Sequence, residues 1–360
     1  MGYYRIAVVT GGNKGIGLEI CRQLALKEVT VILTARDERR GLEAVEGLKA
    51  SGLADILFHK LDVVQQSSAT SLAAFIEQRF GRLDILIKVK PELMGQKVKQ
   101  TYETVEQCLW TNYYGNKQVT QALLPLLQQS NSARIVNISS SYGQLKHISN
   151  EKALQKLGNV DGLTEDKVDE VVKEFREDAK EGQIENKGWP KHTFHYRVSK
   201  AAVNTYTRIL ANKYPNISIN AVHPGKVSTD INFHTGILTV EEGARGVNRA
   251  GLRAYSGRAR CLISATIFFV EPALVPFVIL VEGSSGGWKP VEAQAVDVTV
   301  VAAPMDASRM GTPAPEAPMG PLGALPLSIS EVPSACSGAS TPKLRPRSAS
   351  SSRIPLSIAS

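Results

Sequence analysis

Several things are scarce in this 360-residue chain, and each scarcity excludes something. There are four cysteines, Cys21, Cys108, Cys261 and Cys336, far apart and without a CxxC pair or any metal-ligand spacing. A disulfide framework and a bound metal are therefore not expected, and the thiols read as the reduced cysteines of a cytoplasmic protein. A formal charge of +8 is scattered rather than striped, which argues against a nucleic-acid partner. The start, MGYYRIAVVT, runs straight into an apolar strand-like stretch with no basic segment, apolar core and cleavage site of a secretory leader. No repeat of fixed period appears. With 43% hydrophobic and 21% charged residues, collagen-like, coiled-coil and wholly disordered chains are excluded as well.

What is present changes along the chain. Residues 1–250 alternate strand-like and helix-like segments and read as one folded domain. Residues 251–300 diverge from that rhythm and are partly apolar. Residues 301–360 hold 10 of the 18 prolines and 12 serines, too little apolar surface to offset the entropy of ordering, and are expected to be disordered. Between them Cys261–Val281 offers 21 mostly apolar residues, a length that suits a membrane span. Glu271, Pro272 and Pro276 near its middle favour a buried strand followed by irregular chain, so no membrane partner is expected.

Within residues 1–245 the pattern is a βα ladder. Arg5–Thr10, Val29–Ala35, Ile56–Leu61, Leu83–Val89, Arg134–Ser139 and Ile217–Val222 are apolar strand candidates. Gly15–Leu26, a charged helix through Leu48, Ser68–Phe80, Val105–Leu127 and Val198–Lys213 are helices between them. Apolar strands alternating with helices predict an α/β fold: a Rossmann-like, doubly wound parallel sheet covered on both faces, in a single domain.

The first strand ends in Thr10-Gly11-Gly12-Asn13-Lys14-Gly15-Ile16-Gly17, directly before a helix. Glycines let the backbone approach a pyrophosphate, while the helix N-terminus offers free N–H groups and a positive dipole. That context, strand then helix, is what turns a glycine cluster into a dinucleotide site. The second strand ends at Thr34-Ala35-Arg36-Asp37. An acid there bonds a ribose hydroxyl, whereas Arg36, with Lys14 in the glycine turn, suits a 2′-phosphate and hence NADP. Asp37 is the competing residue, unless it caps the next helix.

Tyr196-Arg197-Val198-Ser199-Lys200 sets a phenol and an ammonium on one helix face. A phenol near pKa 10 shares protons poorly at neutral pH, and a neighbouring cation corrects this. Lowering that pKa to about 7 takes roughly 4 kcal/mol of differential stabilisation. Strand five ends Asn137-Ile138-Ser139-Ser140-Ser141, at the sheet edge where ligands bind, and a serine there can donate to an oxyanion.

The TGxxxGxG spacing, with the YxxxK and NxSS segments, resembles the short-chain dehydrogenase/reductase family. The resemblance spans about residues 4–245. It implies that Gly11, Asn13, Lys14, Gly15, Ile16 and Gly17 cradle NADP and that Asp62 and Val63 contact the adenine. Pro224, Gly225, Val227 and Thr229, in the PGxVxT turn after strand six, would lie beside the nicotinamide, together with Tyr196 and Lys200. Asn112, Ser140, Tyr196 and Lys200 would form the catalytic set, with Asn112 anchoring a water linked to the lysine.

Ser140 and Tyr196 are 56 positions apart, far more than in ordinary family members, so residues 141–193 form a helical insertion that includes Thr164–Lys180. The chain is thereby similar to the monomeric carbonyl reductases and the plant neomenthol dehydrogenase and salutaridine reductase branch. The implied protein is a monomeric, cytoplasmic NADPH-dependent reductase of small ketones or aldehydes. Two departures stand against it. Strand four runs into Lys88-Val89-Lys90-Pro91 instead of Asn-Asn-Ala-Gly, where a buried lysine is costly unless it reaches water or a cofactor phosphate. Beyond Arg245 the resemblance ends, leaving Ile267–Val270 as a candidate last strand. The alternative expectation is a catalytically impaired nucleotide-binding homologue.

Overall fold

A computed structural model describes residues 4–89, 101–159, 162–252, 260–263, 278–282 and 288–292. All of them belong to one compact unit, residues 1–296; a second, 297–360, lies outside the described residues, as does most of the apolar run 261–281.

The ladder read from the sequence forms one parallel sheet. Its strands are β1 (Arg5–Thr10), β2 (Val29–Ala35), β3 (Ile56–Lys60), β4 (Ile85–Lys88), β5 (Arg134–Ile138), β6 (Ser218–His223) and β7 (Arg260–Ile263). Their order is β3-β2-β1-β4-β5-β6-β7, with every pairing parallel. A separate antiparallel pair, β8 (Val278–Glu282) and β9 (Trp288–Glu292), follows. The edge position next to β6 is taken by Arg260–Ile263; the candidate Ile267–Val270 lies outside the described residues.

Alternate strand residues feed two cores, as the period of two requires. Ile6, Val8, Leu86 and Ile135 face one core with helices α3 (Gln66–Phe80), α4 (Tyr102–Leu109), α5 (Gly115–Gln128) and α8 (Phe194–Lys213). Ala7, Val9, Ile87 and Val136 face the other with α1 (Gly15–Ala25), α2 (Glu38–Ala50) and α9 (Val240–Leu252). The strand order reverses between β1 and β4, which opens a crevice at their carboxyl ends.

One element differs in detail from the sequence reading, and one agrees with it. The single long helix over Val105–Leu127 is α4 and α5 joined by a π-turn at Trp110–Tyr114, where the Gly115 N–H bonds to the Trp110 carbonyl. π-turns admit one extra residue and often mark functional positions. The insertion is helical as expected, and it is packed into the fold. In α7 (Glu165–Lys180), Val168, Val171, Val172 and Phe175 recur at helical spacing and are buried, while Phe175 meets Trp189 and Phe194 edge-on, at 4.9 and 6.0 Å between ring centres. Trp189 Nε1 donates to Asp178, and Lys117 of α5 pairs with Asp169 at 2.7 Å. Together with α6 (Glu151–Gly158), the insertion is thus joined to the helices of the first core.

Candidate active site

The turn after β1 is shaped by the lack of side chains. A Cβ on Gly17 would sit 2.1 Å from the Gly11 carbonyl oxygen, so only glycine lets α1 start that close to the strand. Gly11 itself has φ +61°, a left-handed backbone that disfavours other residues. Lys14 is the N-cap of α1, but no side chain bonds the free N–H groups there and no acid lies in the first turn. This end of the helix is open to an anion. Asn13 and Ile16 are half-buried beside it.

The cofactor-choice residues separate cleanly. Asp37 accepts from the Arg40 N–H at 3.1 Å and caps α2, which holds its carboxyl below the usual range. Its carboxylate is therefore engaged at the helix, and Arg36 stands exposed at the end of β2. Asp62 accepts from the Val64 N–H at 3.2 Å in the turn after β3. A Cβ on Gly115 would lie 2.8 Å from the Val63 carbonyl oxygen, so α5 passes close under that turn. After β6, Pro224 and Val227 are buried, and Val227 bridges to Leu238. Thr229 caps the short turn Asp230–Asn232, and Asp230 meets Lys14 at 3.6 Å across the glycine turn. Lys14 thus faces a carboxylate as well as the helix end.

Tyr196 and Lys200 lie one turn apart in α8, both buried, with the lysine Nζ 5.3 Å from the phenol ring centre. That Nζ donates to the Ile138 carbonyl at 3.0 Å, which fixes the ammonium to the end of β5. Ser140 follows one peptide after Ser139, 8% exposed, and its Oγ accepts from the Tyr142 N–H. Asn112 sits in the π-turn, and its Nδ2 donates to Ser199 Oγ at 3.0 Å, beside Lys200. Ser199 in turn donates to the Tyr196 carbonyl at 2.9 Å. The four expected catalytic residues are therefore carried by two neighbouring helices and one strand end.

Residues 5–152 match the family model for short chain dehydrogenases. A short-chain dehydrogenase/reductase of Saponaria officinalis is 52% identical over 296 residues, covering 76% of this chain and 96% of that protein. A (+)-neomenthol dehydrogenase of Arabidopsis thaliana is 47% identical, covering 69% and 91%. The solved structure of salutaridine reductase from Papaver somniferum superposes with a TM-score of 0.68 at 44% identity, covering 73% of this chain and all of that one. The chain belongs to the short-chain dehydrogenase/reductase family. The Saponaria match is also wider than residues 4–245, about two thirds of the chain, where the sequence reading ended the likeness.

Three features of this short-chain dehydrogenase/reductase escape motif reading. Asn204, two turns beyond Tyr196, accepts from Ser139 Oγ and donates to the Gly143 carbonyl at 2.9 Å, so it holds both sides of Ser140. A polar residue in register with Tyr196 and Lys200 was its only trace in sequence. Cys108 shares Asn112 Nδ2 at 3.3 Å, where a lone cysteine had suggested nothing. Lys88 is shut off from bulk solvent and finds its partners inside the protein. It is 1% exposed, and its Nζ donates to Asn116 Oδ1 at 2.6 Å and to Thr120 Oγ1 on α5. Burial pushes its amine down to about 7.

A dinucleotide fits what is present: a glycine cradle a Cβ would fill, an uncapped helix N-terminus and an exposed arginine at the β2 end.

Proposed function

We propose that this short-chain reductase converts a small ketone or aldehyde to its alcohol with NADPH. The carrying observation is the buried Tyr196–Lys200 pair, with the lysine anchored on Ile138 and 5.3 Å from the phenol ring centre. When bound, NADPH supplies the hydride for the carbonyl carbon. The chain's own work is the proton and the oxygen. Tyr196 donates its phenolic proton to the carbonyl oxygen, and the fixed Lys200 charge stabilises the phenolate left behind. Ser140 donates to the same oxygen as negative charge gathers on it. Asn112, tied to Ser199 next to Lys200, holds the water through which the proton is replaced.

Gly11, Asn13, Lys14, Gly15, Ile16 and Gly17 would hold the pyrophosphate, Arg36 and Lys14 the 2′-phosphate, and Asp62 and Val63 the adenine. Pro224, Gly225, Val227 and Thr229 would flank the nicotinamide. The capping role of Asp37 supports NADPH over NADH, as does similarity to a protein named carbonyl reductase [NADPH] 3 from Rattus norvegicus. Relatives named for neomenthol and salutaridine support an apolar terpenoid or alkaloid carbonyl as substrate. The insertion packed on α4 and α8 supports a monomer. No helix among the described residues is long and apolar enough to cross a membrane, and we place the protein in the cytoplasm.

Replacing Tyr196 by Phe should cut turnover on a ketone panel by about 100-fold or more, with NADPH affinity kept. A parent protein that quenches or enhances NADPH fluorescence on binding yet turns over no carbonyl would favour the impaired homologue instead.

A further inference from the structure

Lys88 ends the central strand β4, opposite Thr10 of β1 and Asn137 of β5. It is wholly inside the protein, and no carboxylate among the described residues pairs with it. Its surroundings form a directed row of hydrogen bonds. The amine donates to Asn116 Oδ1 and Thr120 Oγ1; Thr120 donates to the Asn116 carbonyl at 2.7 Å. Asn116 Nδ2 donates to Asn137 Oδ1 at 3.3 Å, Asn137 Nδ2 to Thr207 Oγ1 at 2.8 Å, and Thr207 to the Val203 carbonyl. This row welds β4, β5, α5 and α8 together. Asn116 lies in the first turn of α5, on which the π-turn carrying Asn112 opens.

The amine meets two acceptor oxygens. A neutral amine has two N–H groups and is satisfied there; an ammonium has a third, for which the described residues offer no acceptor, and brings a charge without a counter-charge among them into the interior. We propose that Lys88 is a positioning residue for Asn112: unprotonated, it locks the end of β4 to the first turn of α5, and protonation loosens that lock. The catalytic meaning of this rests on the reductase reading above; the lock itself does not. Its buried setting, which draws the amine to about 7, puts the transition near neutral pH.

The sign follows from linkage. In the unfolded chain the amine is protonated up to its ordinary value, so between about 7 and 10.5 the unfolded state binds the extra proton and stability rises with pH. Below about 7 both states hold it and the native state carries the full penalty. The titratable or charged groups on the packed elements are Tyr113, Tyr114 and Lys117 on the π-turn and α5, His195, Tyr196, Arg197, Lys200, Tyr206, Arg208 and Lys213 on α8, and Arg134 on β5; all of these are the same in parent and variants. Tyr206 shares a hydrogen bond with Thr120, and Tyr113 and Tyr206 are both pushed up by burial, away from neutrality. Lys117 is paired with Asp169 and Glu165, and Lys200 with the Ile138 carbonyl. His59 and His147, drawn down by burial, titrate in parent and variant alike and cancel on comparison.

The test compares parent with Lys88→Gln, which keeps a donor, and Lys88→Met, which keeps the length. Between pH 9 and 6 the parent's unfolding midpoint should fall by about 5 °C or more relative to both variants. In the parent alone, amide exchange over residues 109–116, corrected for its intrinsic pH dependence, should quicken below about pH 7, a readout that survives if a variant fails to fold. On a carbonyl substrate, kcat of the parent should lose several-fold on that acid limb, with KM kept and the limb absent in Lys88→Gln. Superimposable unfolding curves, flat exchange, or an acid limb in kcat that Lys88→Gln retains would each overturn the proposal. The first two measurements need no substrate, so a protein without reductase activity sinks the functional reading and not the lock.

Discussion

The turn after β1 and the end of β4 are neighbours in the sheet, Thr10 beside Lys88, with the Thr10 hydroxyl donating to the Val89 carbonyl at 2.7 Å. They are built in opposite ways. The first is made of backbone: glycines, bare N–H groups and a strand that stops where a helix begins. The second is made of side chains: an amine, two amides and two hydroxyls interlocked inside the protein. A backbone site has no proton to lose near neutral pH and no rotamer to misplace, but it tolerates no added atom. A side-chain site accepts changes of shape more readily and answers to pH.

Three substitutions sharpen this contrast, in falling order of effect. Gly17→Ala puts a methyl 2.1 Å from the Gly11 carbonyl oxygen and forces α1 away from the turn. We expect about 3 kcal/mol lost in chemical denaturation and NADPH binding reduced beyond about 100-fold in a fluorescence titration. Retained affinity would show that the cradle is softer than its geometry. Thr120→Val leaves Lys88 with one acceptor and keeps the volume. The expected cost is about 1–3 kcal/mol in denaturant unfolding at pH 7, with NADPH affinity unchanged. Arg36→Gln removes a cation without touching either fold element. It should weaken NADPH by about 10-fold, near 1.4 kcal/mol, and leave NADH affinity as it was. Equal losses for both coenzymes would remove Arg36 from the 2′-phosphate.

The same contrast explains what could be read in the chain before any coordinates. Gly11, Gly15 and Gly17 are legible because a backbone-built site leaves a local signature: its residue types are fixed by neighbours a few positions away. Strands β1 to β6 are legible because a sheet buried on both faces writes itself as continuous apolar runs. Tyr196 and Lys200 share one helix turn and are equally local. The row around Lys88 joins residues 88, 116, 120, 137 and 207, and no local pattern links them. The sequence reading noticed only that a lysine had no business at a strand end, and sought its partner in water or phosphate. The π-turn was hidden for a different reason: one extra residue leaves the apolar period of a long helix almost unchanged.

Asn204 spends both ends of its amide on the segment around Ser140, its oxygen on Ser139 and its nitrogen on Gly143. The serine segment is therefore tied to helix α8, and the spacing between Ser140 and Tyr196 is held by one amide. By contrast, the segment after β6 leaves Phe233 and Ile237 70% and 79% exposed. A substitution there removes little packing, whereas one at Asn204 unties two elements at once.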